Sequence, residues 1–263
     1  ALGVSLSTQT LNNYADTMLL SWRRSRGAIT HFENSGYIRV ERGSAVFIID
    51  VAPLGPDYLL GHAHADTLSF EMSLGRQRVI VNSGTSTYED SPQRLYERGT
   101  ASHNTVTIDD KNSSEVWKSF RVARRARIID LSIKERQNCV EIFASHNGYS
   151  WSSRRPTHSR KLLIYDNNFE LSDIIHKRAE KVCSRIYFHP DIQISVVGSL
   201  GVFKTSKVAG KFEVKLSSIK MEKSMWHPYF NASVANECLV MSPEVKDEGV
   251  SENRRIGFSF SYN

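Results

Sequence analysis

The stretch Gly61-His62-Ala63-His64-Ala65-Asp66 leads directly into Thr67 to Leu74, and the rest of the chain is organised around this junction. Within residues 66–74, apolar Leu68, Phe70 and Met72 alternate with polar Ser69, Glu71 and Ser73. Period-two alternation predicts a half-buried strand. In an extended backbone, two histidines two positions apart project from the same face. The junction therefore predicts both a β-sheet and a site beside it.

Strand patterning continues on both sides of this junction. Residues 37–42 and 45–50 flank Gly43-Ser44 and predict a hairpin. Further strand signals cover residues 79–81, 105–108, 126–133, 139–144, 161–165, 169–175, 183–188, 192–197, 211–216, 238–241 and 256–260. Turn residues separate them at intervals typical of β-sandwiches. The sequence predicts an all-β fold, with one large antiparallel β-sandwich over residues 36–263.

Two segments have helical rather than strand character. Residues 7–25 place Leu11, Tyr14, Met18 and Trp22 on one helical face. We therefore expect residues 1–35 to form a short helical lead-in or linker. Ser91-Pro92 predicts the start of another short helix that continues through Tyr96, with Ser91 as its N-cap.

Composition places the chain among ordinary globular proteins with an excess of basic residues. The chain has 263 residues, 40 % hydrophobic and 24 % charged, with a net charge of +6. No run approaches the ~18–20 apolar residues that span a bilayer. The first residues lack the basic-then-apolar pattern of a secretion signal, so secretion cannot be read from this sequence. Three separated cysteines (Cys139, Cys183 and Cys238) form neither a disulfide framework nor a zinc-binding CxxC pair, so we expect buried thiols.

The basic residues gather in patches at residues 23–26, 121–127 and 154–161. Solvated strand faces with spare charge are the plain interpretation. The alternative is an electrostatic field that attracts an anionic polymer, either an acidic polysaccharide or a nucleic acid. Composition does not choose between these interpretations.

Three histidines and an amide could form a metal site around the junction. Neutral imidazole suits zinc, and catalytic zinc commonly has three protein ligands and an open position. With His62 and His64, the later His103 and Asn82 would complete such a set. Surface or hydrogen-bonding histidines are the competing interpretation, because an HxH spacing is a modest signal.

The irregular segment between Asn82 and His103 carries Tyr88 and Arg98. A phenol or a guanidinium in this segment could contact a sugar carboxylate. Exposed loop side chains without a ligand are the more common outcome.

An ordered series of motifs resembles the C-terminal domain of the heparinase II/III-like family of polysaccharide lyases. The series comprises residues 55–71, residues 81–88, residues 98–106, Ser114-Glu115 with Trp117 and Phe120, and Trp226-His227-Pro228 with Phe230. The resemblance implies a large antiparallel β-sandwich that follows an N-terminal α/α-toroid, with the active site in the cleft between them. This chain resembles the sandwich alone, so the toroid is expected outside it and no activity is expected from this chain alone.

The resemblance also implies roles for individual residues. His62 would face the cleft and contact substrate or assist proton transfer, with Tyr88 as a second catalytic candidate and Arg98 as a substrate-binding one. His64, Asn82 and His103 would bind a metal, usually zinc. Asn82 stands where the better-known lyases have Asp, and an amide brings no negative charge, so metal affinity should fall.

The implied reaction is β-elimination in an acidic, uronate-containing polysaccharide. A base removes the proton α to the uronate carboxylate, and neutralisation of that carboxylate lowers the barrier. The resemblance further implies a toroid domain as partner and a periplasmic or extracellular location. A non-catalytic sandwich that binds acidic glycans is the alternative, and nucleic-acid binding is a third, weaker hypothesis because no recognised module supports it.

Overall fold

The computed structural model describes residues 8–18, 27–243 and 253–263, and these form two large antiparallel sheets. The first strands are β1 (Ile29–Phe32), β2 (Tyr37–Arg42), β3 (Ala45–Asp50), β4 (Phe70–Leu74), β5 (Gln77–Ile80), β6 (Val106–Ile108), β7 (Val116–Trp117) and β8 (Arg121–Val122). The later strands are β9 (Ile128–Glu135), β10 (Val140–His146), β11 (Thr157–Ile164), β12 (Asn168–His176), β13 (Val182–Phe188), β14 (Gln193–Val197), β15 (Leu200–Lys204), β16 (Ala209–Lys215), β17 (Ser217–Trp226), β18 (Val234–Pro243) and β19 (Arg254–Tyr262).

One sheet has nine strands and the other has eight. The nine-stranded sheet follows the order β1-β2-β3-β4-β5-β13-β18-β17, and β6 also pairs with β13. The eight-stranded sheet follows the order β14-β15-β16-β19-β12-β11-β10-β9, while β7 and β8 form a separate hairpin. These strands confirm the predicted all-β sandwich.

The core lies between the two sheets and is rich in phenylalanine. Phe47 and Phe70 of the nine-stranded sheet contact Phe169 of the other sheet at ring-centroid distances of 5.1 and 5.9 Å. Phe258 and Phe260 extend the same cluster along β19. Aromatic pairs in offset or edge-to-face geometry stabilise such cores beyond their area of contact.

The helices are short. Helix α1 (Thr8–Thr17) lies within the predicted segment 7–25, of which residues 7 and 19–25 are outside the described residues. Helix α2 (Pro92–Arg98) has Ser91 as its N-cap, with the hydroxyl accepting from Arg94 N, as the sequence predicts. A 3₁₀ turn, Thr100–Ser102, follows directly. Among the described residues, neither helix is long and apolar enough to cross a membrane.

Several predicted boundaries differ from the structure. Strand β1 pairs with β2 although it lies before residue 36, the predicted start of the sandwich. Strands β15 and β17 are not among the predicted strands. In β15 the exposed face carries apolar Leu200 and Val202, so polar and apolar residues do not alternate, and in β17 the exposed positions mix polar, charged and apolar residues. The three cysteines are free and buried, as expected.

Candidate functional site

The loop between β3 and β4 carries the two histidines of the junction, and it is not the predicted strand. Strand β4 begins only at Phe70, because Leu68 adopts a positive φ of 64° and Ser69 N donates to Asp66 O to close a turn. His62 and His64 therefore do not share a strand face. The fold of this loop, and not an extended backbone, places the two side chains.

His62 and His64 nevertheless line one cleft. Its volume is about 600 Å³, and its wall also includes Tyr37, Asp50 and Asp66. Burial raises the pKa of Asp66 to about 7, and burial together with the Asp66 charge raises the pKa of Asp50 well above its usual range. Since the two carboxyls also bond to each other, at least one of them holds a proton near neutral pH. Two carboxyl groups thus line the cleft together with its histidines.

His62 is exposed and contacts Tyr88, which the sequence could only place nearby. His62 Nδ1 lies 3.2 Å from the Tyr88 hydroxyl, and the two rings meet edge to face. Tyr88 stacks between Phe120 and Phe230 at centroid distances of 6.4 and 5.9 Å. Arg94 Cζ lies 4.8 Å from the Tyr88 ring centroid. These contacts fix the phenol against His62.

His64, which lines the cleft, forms a second pair with the buried His103. His64 Nδ1 lies 3.2 Å from His103 Nε2. On its other side, His64 Nε2 lies 3.2 Å from Arg94 Nη1 and 3.4 Å from Thr85 Oγ1. Burial lowers the pKa of His103 to about 4, and burial followed by the nearby His103 and Arg94 charges lowers the pKa of His64 well below its usual range. Both imidazoles are therefore neutral at pH 7.

The predicted zinc ligands fit only in part. A spacing of 3.2 Å between His64 Nδ1 and His103 Nε2 suits two nitrogens that share a tetrahedral zinc, for which metal–nitrogen distances are about 2.0–2.1 Å. Asn82 Oδ1, however, accepts from Asn104 N at 2.9 Å, and Asn82 Nδ2 donates toward Ser69 Oγ. No group of three His, Cys, Asp or Glu side chains placed for a metal occurs among the described residues. As arranged, the set lacks an anionic third ligand and does not fit a catalytic zinc, so zinc occupancy stays a prediction.

Helix α2 contributes two arginines, and the expected role of Arg98 does not agree with its position. Arg98 is fully buried and donates to the carbonyls of Ala63 (3.0 Å), Lys118 (2.8 Å) and Arg121 (3.4 Å). Because each of its three nitrogens donates to one of these carbonyls and the side chain is buried, Arg98 holds the loop and the β7–β8 hairpin together instead of facing substrate.

Arg94 is a site residue that the sequence does not single out. It is fully buried one helical turn before Arg98, and it donates to Gly61 O at 3.1 Å as well as approaching His64. The i, i+4 spacing of the two arginines is the signal that places both on one helical face. No carboxylate forms an ion pair with either one in the described part of the chain.

The turn between β17 and β18 completes the site from the far end of the chain. His227 N donates to Ser83 O at 2.7 Å, and His227 Nε2 lies 3.2 Å from Gln93 Nε2. This turn also carries Phe230. The motif pieces at residues 81–88, 98–106 and 226–230 therefore meet around the His62–Tyr88 and His64–His103 pairs.

Comparison with known proteins shows the family of this chain. The model of the family described as heparinase II/III-like, C-terminal, matches residues 24–258. The chain belongs to this family. A sequence search of curated proteins finds no match.

Solved structures of heparinases share the fold of this heparinase II/III-like domain. A heparinase III (the BT4657 gene product) has a TM-score of 0.73 at 18 % identity, over 95 % of this chain and 38 % of that one. The heparan sulfate lyase HepC from Pedobacter heparinus has a TM-score of 0.74 at 15 % identity, over 95 % of this chain and 38 % of that one. Another heparinase III has a TM-score of 0.74 at 14 % identity, over 96 % of this chain and 42 % of that one. The chain thus spans well under half the length of these proteins.

Proposed function

We propose that this chain is the C-terminal domain of a polysaccharide lyase that cleaves an acidic, uronate-containing polysaccharide by β-elimination. Family membership supports the class of protein. The contact between His62 and Tyr88 is the observation that supports a particular active site. It pairs an exposed imidazole with a fixed phenol. General acid–base chemistry needs two such groups within reach of one substrate.

The geometry of His62 suggests how it would work. If His62 Nδ1–H donates to the Tyr88 oxygen, Nε2 keeps its lone pair and is the nitrogen left to accept a proton. The proton α to a uronate carboxylate is weakly acidic, so the negative charge that develops on its removal needs stabilisation. Arg94, behind the Tyr88 ring, contributes positive potential to the same side of the cleft.

The remaining parts of the active site lie in a partner domain under this proposal. The chain covers 38 % of the heparan sulfate lyase and 42 % of a heparinase III, so most of each of those proteins has no counterpart here. We propose that a toroid domain faces the cleft and supplies the other groups that act on the uronate. A periplasmic or extracellular location follows from the same proposal, because lyases of external glycans act there.

The test uses the natural protein that carries this chain, with heparan sulfate oligosaccharides and alginate as probes. Elimination creates an unsaturated uronate, which is followed by its ultraviolet absorbance. His62→Ala should lose activity by roughly a hundredfold or more while its melting temperature stays at the wild-type value. Full activity in His62→Ala would overturn the assignment of His62.

A second candidate function is binding of acidic glycans without catalysis, and the β7–β8 region favours it. Arg121 lies over the Trp117 ring at 4.8 Å, and Lys111 and Arg124 lie 5.0 and 5.3 Å from the Trp151 ring centroid. Cations beside aromatic faces present both charge and a flat apolar surface to a sulfated or carboxylated sugar. Glycan binding by the 263-residue chain that survives His62→Ala, without elimination by the natural protein, would favour this candidate.

A further inference from the structure

We propose that Arg94 takes the place of a metal ion behind the cleft, holding the His64–His103 pair through a chain of hydrogen bonds, so that zinc is not a constituent of this site. The three side chains come from the β3–β4 loop, helix α2 and the turn after it. The arrangement is independent of whether the domain takes part in elimination.

The Nε2 atom of His64 decides between a metal site and a hydrogen-bonded one. Its neighbours are Arg94 Nη1 at 3.2 Å and the Thr85 hydroxyl at 3.4 Å. A guanidinium only donates hydrogen bonds, whereas a hydroxyl donates or accepts. The Arg94 neighbour therefore requires a lone pair on His64 Nε2, and the proton of neutral His64 resides on Nδ1.

The proton on His64 Nδ1 then faces His103. His64 Nδ1 lies 3.2 Å from His103 Nε2, which accepts from it. His103 consequently carries its own proton on Nδ1, a buried atom with no hydrogen-bond partner among the described residues. Hydrogen bonds are thus donated in one direction, from Arg94 to His64 and from His64 to His103.

A zinc ion between the histidines requires the opposite arrangement. Both His64 Nδ1 and His103 Nε2 would present lone pairs to the metal, so the His64 proton would move to Nε2. Metal-bound histidines normally donate that second N–H to a carboxylate, a carbonyl or water. Here it would meet an Arg94 N–H at 3.2 Å, donor against donor. Charging His64 gives no metal site either, because imidazolium has no lone pair.

The positive charge of Arg94 also disfavours a metal ion at this site. Arg94 is fully buried, bonds to Gly61 O and packs on Tyr88, and forms no ion pair within the described ranges. A divalent cation beside this uncompensated charge needs an anionic ligand, and Asn82 supplies only an amide whose oxygen accepts from Asn104 N. The guanidinium thus provides one positive charge where a metal would provide two.

The first measurement is made on the wild-type chain, purified without chelator or added metal. Mass spectrometry should find zinc far below one ion per chain, and a chelator should leave the melting temperature unchanged. Long-range proton–nitrogen NMR spectra distinguish imidazole tautomers, and His64 should show Nδ1–H. One zinc per chain that is lost in His64→Ala, or an Nε2–H tautomer of His64, would overturn the proposal.

A second measurement attempts to restore the metal site. The double variant Asn82→Asp with Arg94→Gln replaces the amide by a carboxylate and removes the fixed donor charge, so zinc affinity measured by calorimetry should rise by roughly tenfold or more over wild type. Asn82→Asp with the exposed Arg76→Gln is the matched control for lost positive charge, and should gain less than the Arg94 double variant.

Equal gains in both double variants would show that Arg94 does not oppose the metal, and would overturn the proposal. If the Arg94 double variant fails to fold, the zinc content and the His64 tautomer of the wild-type chain decide the question.

Discussion

The Tyr88 ring packs against Phe120 and Phe230, while its hydroxyl contacts His62, so ring packing and hydroxyl contact can be separated by one substitution. Tyr88→Phe keeps the stack with Phe120 and Phe230 and removes the atom 3.2 Å from His62 Nδ1. We expect the melting temperature to change little and elimination by the natural protein to slow by roughly a hundredfold. The unsaturated product is measured over a range of pH, with Tyr96→Phe as control. Unchanged kinetics in Tyr88→Phe would show that the hydroxyl has no role in the reaction.

Gly84 is required where the turn after β17 meets the segment after β5. Its φ is +83°, and a Cβ would lie 2.2 Å from the His227 carbonyl oxygen. Gly84→Ala should therefore lower the free energy of unfolding by about 3 kcal/mol or more. Gly198 has a φ of +59°, and a Cβ there would have no atom of the described residues within 4 Å, so it is the control for backbone strain alone. Gly198→Ala should cost about 1 kcal/mol, and equal losses in urea unfolding would contradict the close approach.

At the scale of elements, the β7–β8 hairpin depends on helix α2. Arg98 donates to Lys118 O and Arg121 O, and the hairpin carries Phe120 to the Tyr88 ring. Arg98→Met removes the donors and leaves these carbonyls without them, so hydrogen exchange in residues 116–122 should accelerate. Lys118→Met, which changes an exposed side chain on the same hairpin and keeps its backbone carbonyl, is the control and should leave exchange near wild type. Equal protection in both variants would show that Arg98 does not anchor the hairpin.

The sequence predicts those elements whose side chains alternate along one exposed and one buried face. Strands β2 and β3 and the Ser91 cap of α2 follow from local pattern, and the structure confirms them. The loop at residues 61–69 does not, because its shape depends on the distant partners Arg98 and Arg160 and not on its neighbours in sequence.

Some site residues are likewise predictable from sequence motifs, and others are not. The motif series predicts His62 at the cleft and His64 and His103 as metal ligands. In the structure, His62 and His64 line the cleft and His103 is buried 3.2 Å from His64, while a metal role stays a prediction. Arg94 is not predicted, because a buried arginine with carbonyl, imidazole and aromatic partners has no signature in a single sequence.

At the scale of the whole molecule, one buried ion pair ties the two sheets to the site. Arg160 binds Asp173 through Nε and Nη2 at 2.7 and 2.8 Å, and its Nη1 donates to Leu68 O and Asn104 O. Burial alone would raise the pKa of Asp173, but Arg160 and His158 outweigh burial and lower that pKa. The carboxylate is therefore charged, and its charge depends on Arg160.

Removing one partner of this pair should be costly. Arg160→Met removes the guanidinium partner of the buried Asp173 carboxylate and leaves only His158 and Ser184 of the described residues bonded to it, which costs about 3–5 kcal/mol. Adding Asp173→Asn should recover part of the loss, and a double-mutant cycle in urea measures the coupling. Arg39→Met removes a half-exposed partner of Glu41 and should cost about 1 kcal/mol or less. Strict additivity of Arg160→Met and Asp173→Asn would contradict a coupled pair.

The same buried network makes the stability of the fold depend on pH. His146 Nδ1 accepts from Gly148 N, its Nε2 lies 3.1 Å from His158 Nδ1, and His158 Nε2 meets Asp173. Burial, followed by the His158 and Arg160 charges, lowers the pKa of His146 well below its usual value, although Asp173 opposes this. The unfolded chain therefore binds a proton at His146 more readily than the folded one does. Its contribution to stability is complete above the usual histidine pKa of about 6.5 and is lost as pH falls.

His146→Gln should flatten this dependence. Wild type should lose more stability than the variant as pH falls from 7 to 5, because only wild type buries a neutral imidazole that the unfolded chain would protonate. Raised pKa values of Asp50 and Asp66 act with the opposite sign, but they are common to both proteins and cancel in the comparison. His62→Gln, at an exposed position, controls for loss of an imidazole. Urea unfolding at several pH values measures each slope, and parallel slopes for wild type and His146→Gln would show that His146 is not held neutral by the core.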